Sequence, residues 1–158
     1  RKVWYQIPNI WEPDAFLLRR IGNVPKLVLN EADGVSTDTF HRVNFADNIN
    51  RSAVLISFYS SISLASLELA GRSYGGGALE ILPGDLESFY IPRIDYSSQI
   101  NLDHELQKLD KLIRTNDIQQ IARYADSVLI NNFDFDFDYT QSQKILSHLQ
   151  SIRTNKKS

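Results

Sequence analysis

The chain of 158 residues contains no cysteine. This absence excludes a disulfide framework, a thiolate metal site and a cysteine nucleophile, and it favours a reducing compartment such as the cytoplasm. The chain also lacks an uninterrupted run of the ~18 apolar residues that a membrane-spanning helix needs. Its longest apolar-rich stretch, residues 53–70, is interrupted by serines and by Glu68 and is interpreted as a buried helix. The first residue is Arg1, not methionine, so we expect the chain to be part of a longer polypeptide.

Neither charge sign is in strong excess. Lys and Arg together number 17 and Asp and Glu number 19, which gives a net charge of −2. Residues 1–77 carry eight basic against seven acidic side chains, whereas residues 78–158 carry nine against twelve. A polyanion site is therefore expected in the first half, although the overall charge is not that of a strongly basic nucleic-acid-binding protein.

Motifs for catalysis are also missing. The three histidines, His41, His104 and His148, lie on different predicted elements and have no H-x-x-x-H spacing. The glycine triplet at 75–77 lacks the Lys and Ser/Thr of a phosphate-binding loop. It also precedes a strand, which reverses the order of a nucleotide-binding fingerprint. The sequence therefore predicts no catalytic residue, no metal ligand and no cofactor site in this chain.

Residues 133–139 alternate between aromatic and acidic side chains, and their D-x-D-x-D pattern is similar to the start of a calcium-binding loop. Tyr139 stands where that loop needs glycine, and Ile145 where it needs a bidentate Glu, so a calcium site is not expected. The segment is interpreted as an extended stretch with aromatic rings toward the core and carboxylates toward solvent.

Secondary structure is predicted from periodicity and from capping residues. Residues 13–21 are predicted as a short helix, because a proline and an acid stand at its start and two arginines at its end. Residues 51–69 are predicted as one long helix, capped by Asn50 or Asp47 and ended at Gly71. Strands are predicted near 3–7, 25–30, 40–45 and 78–82, and three amphipathic helices are predicted after residue 95, with a break at 116–117.

These elements predict an α+β fold, in which a small twisted mixed sheet packs against the long helix and a C-terminal helical unit follows. The chain length fits one domain with a small helical appendage. We expect residues 1–95 to form an α/β region and residues 96–158 a helical region packed on or beside it.

A polar loop between two predicted strands is the candidate binding site. Its residues have the short hydrogen-bonding or basic side chains that read base edges and phosphates: Asn30, Thr37, Asp38, Thr39, His41 and Arg42. Lys26 and Arg72 are expected to add phosphate contacts. By composition alone the same residues also fit an ordinary solvent-exposed loop, and this alternative stays open.

Three stretches of the chain together carry a family resemblance: WYQIP at 4–8, KLVLNEADGVSTDTFHRVNF at 26–45 and GRSYGGGALEILPGDLESFYIP at 71–92. Their order resembles the C-terminal target-recognition region of bacterial N6-adenine-specific DNA methyltransferases from restriction–modification systems. The last stretch is the most specific, because a helix, a glycine-rich loop, a strand and a turn ending in Ile-Pro recur together in that family. The resemblance covers residues 3–95, and the later helices are similar only in type and position.

The resemblance implies DNA target recognition, with double-stranded DNA as the partner. The DNA-binding residues that it implies are Lys26, Asn30, Thr37, Thr39, His41, Arg42, Arg72, Ser73 and Tyr74. The family's (Asp/Asn/Ser)-Pro-Pro-(Tyr/Phe/Trp) motif for the flipped adenine and its F-x-G-x-G motif for S-adenosylmethionine are absent from this sequence. We therefore expect an upstream catalytic domain of the same polypeptide to bind the cofactor, and we expect no methyl transfer by this chain alone.

The resemblance also gives the glycine triplet a role. Gly75, Gly76 and Gly77 are expected to let the long helix reverse into the strand at 78–82, and secondarily to let a DNA backbone approach. An alternative of another class is a protein-interaction or scaffold module, which would use an apolar stripe of the C-terminal helices: Ile118, Ile121, Ala125, Val128 and Leu129.

Overall fold

The computed structural model describes residues 11–94, 100–133 and 138–155. The α+β class predicted from the sequence is confirmed, because short strands and helices follow one another along the described residues. The strands are β1 Ala15–Leu18, β2 Arg20–Ile21, β3 Leu27–Leu29, β4 Phe40–Val43, β5 Arg72–Tyr74 and β6 Ala78–Glu80. The helices are α1 Arg51–Phe58, α2 Ser61–Ala70, α3 Leu102–Ile113, α4 Ile118–Asn132 and α5 Tyr139–Asn155, with a 3₁₀ helix at Pro83–Glu87.

The helix predicted at 13–21 is wrong, because these residues form β1 and β2. Side chains along β1 alternate between buried and outward positions, which is the two-residue period of a strand. Asp14, the acid that suggested a helix start, instead bonds to residues that are distant in the sequence. The Asp14 carboxylate accepts hydrogen bonds from the Phe45 N–H at 2.9 Å and from the Arg51 guanidinium at 2.7 Å.

The strands form two antiparallel sheets, ordered β3-β1-β4 and β2-β6-β5, so the single mixed sheet expected from the sequence is wrong. The chain passes from one sheet to the other at Arg19. Its N–H donates to the Thr39 carbonyl at 3.4 Å, and its carbonyl accepts from the Ile81 N–H at 2.9 Å. These bonds hold the two sheets side by side. The strand expected at 3–7 lies outside the described residues.

The long helix predicted at 51–69 is two helices, α1 and α2, which are bent by 69°. Asn50 caps α1 as expected, since its side-chain oxygen accepts from the Ala53 N–H at 3.1 Å. The break follows from the serines. The Ser60 hydroxyl donates to the Ser57 carbonyl at 2.7 Å and Ser60 caps α2, so side-chain hydrogen bonds compete with a continuous helical ladder.

The glycine triplet forms the turn of the β5–β6 hairpin, and the expected direct reversal from helix to strand is wrong. Gly76 and Gly77 have φ values of 85° and 76°, a region that side chains rarely adopt. The helix ends at Gly71, as expected, where a Cβ would come within 2.5 Å of the Ile81 side chain. The sequence does not reveal β5 because its three side chains are all exposed and show no apolar alternation.

The three C-terminal helices are confirmed as α3, α4 and α5. α3 and α4 are separated by Asn116, whose φ is 61°, and by Asp117, whose carboxylate accepts from the Gln119 N–H at 3.0 Å. α5 packs against α2 and α3 packs against α1, so these helices share one buried core with the strands. The division near residue 95 stays a prediction, and residues 95–99 lie outside the described ranges.

The apolar stripe considered for a protein-interaction module lies inside this core. Its five side chains are between 0% and 4% exposed, and they are Ile118, Ile121, Ala125, Val128 and Leu129. No partner reaches them in the folded chain, so that alternative is wrong in the form suggested by the sequence. The alternating segment at 133–139 falls mainly on residues 134–137, which the structure does not describe.

No helix within the described residues has, by itself, the length and apolar composition of a membrane span. The bent pair of α1 and α2 meets these criteria only when both helices are counted together. Most side chains of this pair are buried in the core.

Candidate nucleic-acid interface

The first sheet presents basic and aromatic side chains on its outward side. Strand pairing aligns Val28, Phe16 and Arg42 in one cross-strand row. The Arg42 guanidinium lies 4.8 Å from the centre of the Trp11 ring, in a cation–π contact. The Phe16 and Phe40 rings pack edge to face at 5.8 Å. Planar rings beside a cation suit both stacking on bases and attraction to phosphates.

The second sheet carries a cluster of arginines. β6 lies between β2 and β5, and the register places Glu80 between Arg20 and Arg72. The Nε atoms of Arg20 and Arg19 lie 3.5 and 3.3 Å from Glu80 Oε1. Arg72 Nη2 lies 3.5 Å from Asp85 Oδ1. Three guanidinium groups thus accompany two carboxylates, and the Arg20 and Arg72 side chains remain 84% and 59% exposed.

Glu80 organises this cluster as a charged acceptor. A hydrogen bond from the Tyr74 hydroxyl is the main cause that holds the pKa of Glu80 below its ordinary value. Burial acts in the opposite direction, and Arg19 and Arg20 add to the lowering. The carboxylate is therefore ionised at neutral pH, and it orients both the Tyr74 ring and the Arg20 guanidinium.

β1 of the first sheet and β2 of the second sheet follow one another in the chain, separated by a bend at Arg19. The inner side chains of this path are 0–3% exposed, and they are Ala15, Leu17 and Ile21. Strand alternation consequently places Phe16 and Arg20 on the other side. We call the surface formed by Phe16, Arg42, Arg20, Arg72 and Tyr74 the outer face.

Several residues predicted from the sequence lie on or beside the outer face. Arg42, Arg72 and Tyr74 are part of it. Lys26 is exposed and precedes Val28 by two residues on the same side of β3. In the loop before β4, Thr37, Asp38 and Thr39 are exposed. These residues thus lie on two sheets that hydrogen bonds of Arg19 and His41 hold side by side.

Asn30 has a different environment, because its side-chain amide is engaged by the backbone. Its Nδ2 donates to the carbonyls of Pro13 at 2.8 Å and of Gly34 at 2.9 Å. Its Oδ1 accepts from the Gly34 N–H at 2.8 Å. These three bonds shape the loop after β3 and leave little hydrogen-bonding capacity for a base edge. A DNA contact by Asn30 stays a prediction.

His41 and Ser73 lie on the side of their strands that faces away from the outer face. His41 pairs with the buried Leu17, and its Nε2 donates to the Ile81 carbonyl at 2.8 Å. Ser73 pairs with the buried Leu79, although its own side chain is exposed at the sheet edge. His41 therefore joins the two sheets, and DNA contacts by these two residues stay predictions.

Arg19 and Arg20 are functional candidates that the sequence reasoning missed. They were assigned to the last turn of a helix, where basic residues are common. The signal that points to strands is the apolar residues at 15, 17 and 21, which are separated by even numbers of positions and leave Arg20 facing outward.

A groove of about 780 Å³ between β3 and α3 is a second concave site. Its rim carries both charge signs, from Lys26 and Lys111 and from Asp103 and Asp110, so it has no basic excess for DNA. At its base the Tyr59 hydroxyl accepts from the Leu27 N–H at 3.1 Å and donates to the Leu27 carbonyl at 3.4 Å. Burial raises the pKa of Tyr59 to about 12, so this hydroxyl stays protonated. It is the hydrogen-bond partner of both backbone groups of Leu27 at the edge of β3.

A metal centre is not found in the part of the chain that the structure describes, since no three His, Asp or Glu side chains there are grouped to hold an ion. The pattern of charge and aromatic rings therefore makes the outer face the best candidate site. Its chemistry is that of contact with a polyanion.

Comparison with protein families matches residues 1–130 to the family described as type II methyltransferase M.Eco57I, C-terminal domain. The matched range contains both sheets, α1, α2, α3 and nearly all of α4, and it therefore includes the whole outer face. Comparison with curated proteins and with solved structures gives no match.

Proposed function

The chain belongs to the family of C-terminal domains of type II methyltransferases represented by M.Eco57I, and from this membership we propose that it is the DNA target-recognition domain of an N6-adenine DNA methyltransferase. Its partner in this proposal is double-stranded DNA, in the bacterial cytoplasm. An upstream catalytic domain of the same polypeptide binds S-adenosylmethionine, which supplies the methyl group when bound.

The observation that carries the proposal is the arrangement of cations on the outer face. Arg42 lies in a cross-strand row of the first sheet, and Arg20 and Arg72 flank Glu80 in a row of the second sheet. Guanidinium groups on two neighbouring sheets suit contact with both the phosphates and the base edges of one duplex. The chain has 17 basic and 19 acidic side chains, so its composition alone does not lead us to expect a cluster of arginines.

The roles on the outer face divide by position. Arg20 and Arg72 are the proposed phosphate contacts, because their side chains are the most exposed of the arginine cluster. Such contacts set the register of the protein on the duplex without reading sequence. Base readout is assigned to Arg42 and to the exposed loop with Thr37 and Thr39, where each good bidentate base contact contributes about 1–3 kcal/mol of discrimination.

The division of labour with the catalytic domain follows from the chemistry of base methylation. Adenine N6 is inaccessible inside a duplex, so the catalytic domain must extrude the base from the stack. The outer face holds the flanking duplex meanwhile and determines which adenine is presented. The net charge of −2 is compatible with this role, because two domains share the cleft.

The proposal is tested in the polypeptide that contains the catalytic domain. The segment 35–39 and Arg42 are exchanged for those of a relative with a different target, and methylated positions are read by sequencing. We expect methylation to continue at a changed sequence. An exchange of the exposed turn 114–116, which lies outside the outer face, is the matched control. An unchanged target after the first exchange contradicts the proposal.

A further inference from the structure

Arg153, near the end of α5, is a charged residue in the interior. Its side chain is 3% exposed, and that of its partner Glu68 is 6% exposed. Nε lies 2.9 Å from Glu68 Oε2, and Nη2 lies 2.9 Å from Oε1, so the pair is bidentate. The remaining nitrogen, Nη1, donates to two backbone carbonyls, that of Gly22 at 2.6 Å and that of Gly77.

The two carbonyls belong to neighbouring strands of the second sheet. Gly22 directly follows β2, and Gly77 directly precedes β6, and the two strands are paired. Arg153 therefore fastens the same end of both strands. β2 carries Arg20, two residues before Gly22, and the hairpin that turns at Gly77 carries Arg72. A side chain on α5 thus contacts the ends of the strands next to the arginine cluster of the outer face.

Stability alone is a weak explanation for such a buried ion pair. The loss of hydration of both ions offsets most of their attraction, and replacing a whole pair by apolar side chains is often neutral. The planar fork of arginine does provide what this position uses, namely separate donors in fixed directions for one carboxylate and two carbonyls. Lysine has a single nitrogen and cannot reproduce that geometry.

We propose that Arg153 is a positioning residue for DNA binding, which holds the β5–β6 hairpin against β2 so that Arg72 and Arg20 keep the spacing at which both contact phosphates. This inference rests on the proposed function of the outer face. Arg153 is buried and does not touch DNA itself. It also lies beyond residues 1–130, the range that matches the family, so α5 contributes to the interface from outside that range.

The test is a double-mutant cycle on duplex binding, measured by fluorescence anisotropy with the polypeptide that contains the catalytic domain. Arg153→Lys keeps a positive charge beside Glu68 but loses the fork, and we expect about tenfold weaker binding. Because Arg153 acts through the hairpin, Arg72→Ala must cost less affinity in the Arg153→Lys chain than in the wild type. Arg42→Ala, on the other sheet, is the matched control and must cost the same in both chains.

A second variant protects the test against misfolding. Glu68→Met combined with Arg153→Met removes both charges together and leaves no unpaired ion in the core. We expect a folded chain with a lowered melting temperature, because the carbonyls of Gly22 and Gly77 lose their donor. We also expect faster amide hydrogen exchange at residues 72–80 and weaker duplex binding. Wild-type exchange and wild-type affinity in this folded variant overturn the inference.

The outcomes separate this inference from the proposed function. If the wild-type chain binds duplex DNA and the effects of Arg153→Lys and Arg72→Ala are simply additive, the positioning role is overturned and the proposed function stands. If the wild-type polypeptide with both domains shows no duplex binding at all, the proposed function is overturned, and the positioning role falls with it.

Discussion

Arg20 and Arg72 stand on either side of Glu80, one on each strand that flanks β6. Two strand spacings, or ~10 Å, separate their backbones. Both side chains are more than half exposed, although the Arg20 guanidinium lies close to the Glu80 carboxylate and the Arg72 guanidinium lies close to that of Asp85. The two carboxylates thus orient both guanidinium groups and leave them accessible to solvent, and Arg19 gives the cluster an excess of one positive charge.

Glu80 gives a prediction for the pH dependence of stability. Its pKa in the folded chain is held below the ordinary 4.5, chiefly by the Tyr74 hydroxyl. A carboxyl with a lowered folded pKa stabilises the fold above the unfolded pKa, and this contribution is lost as the pH falls through the folded value. We expect the free energy of unfolding, measured in urea, to fall less for Glu80→Gln than for the wild type when the pH is lowered from neutral to below 4.5. Parallel losses would show that Glu80 does not contribute.

Asn30 is expected to serve the fold. Asn30→Ala removes three hydrogen bonds to Pro13 and Gly34, and we expect a loss of about 1–3 kcal/mol in the free energy of unfolding, measured in urea. The exposed Thr37→Ala is the control and should change it by less than about 0.5 kcal/mol. A stable Asn30→Ala chain with weakened duplex binding would instead support a DNA contact by Asn30.

The hairpin turn distinguishes two neighbouring glycines. Gly76 has a φ of 85°, so Gly76→Ala is expected to lower the free energy of unfolding by about 1–2 kcal/mol. A Cβ at Gly75 would meet no atom within 4 Å, and Gly75→Ala is expected to change stability by less than about 0.5 kcal/mol. Equal thermal shifts for the two variants would contradict this turn geometry.

Tyr59 is expected to contribute stability through its hydroxyl. Tyr59→Phe leaves the N–H and the carbonyl of Leu27 without the partner that they share in the core. We expect a loss of about 1–3 kcal/mol in the free energy of unfolding. Tyr90→Phe removes the same atom from a side chain that is 55% exposed, and it should behave as the wild type. A Tyr59→Phe chain as stable as this control would refute the edge contact.

The elements that the sequence predicts well are those whose signals are local. The apolar residues of 102–113 and 118–132 recur at helical spacing, and Asp117 caps the second of these helices through its own neighbours. The strands at 27–29 and 40–43 are short runs rich in apolar and β-branched residues, bounded by turn residues. Periodicity and capping are sufficient in these cases because few distant contacts compete with them.

The elements that the sequence misses depend on distant partners. Asp14 looks like an acid in the first turn of a helix, but its carboxylate binds Arg51 and the Phe45 N–H, which are distant in the sequence. β5 is a strand only because β6 pairs with it. For the same reason the arginine cluster is invisible in the sequence, since the positions of Arg20 and Arg72 around Glu80 follow from strand pairing.

The most direct test of the central claim is the salt dependence of duplex binding. The logarithm of the association constant is plotted against that of the salt concentration for the wild type and for Arg20→Ala combined with Arg72→Ala. Each lost phosphate contact should reduce the magnitude of the slope by about 0.9. The slope of the double variant should therefore be smaller in magnitude by nearly two. Arg123→Ala removes an exposed arginine from α4 and is the matched control, with an unchanged slope. Equal slopes for the wild type and the double variant would contradict DNA binding by the outer face.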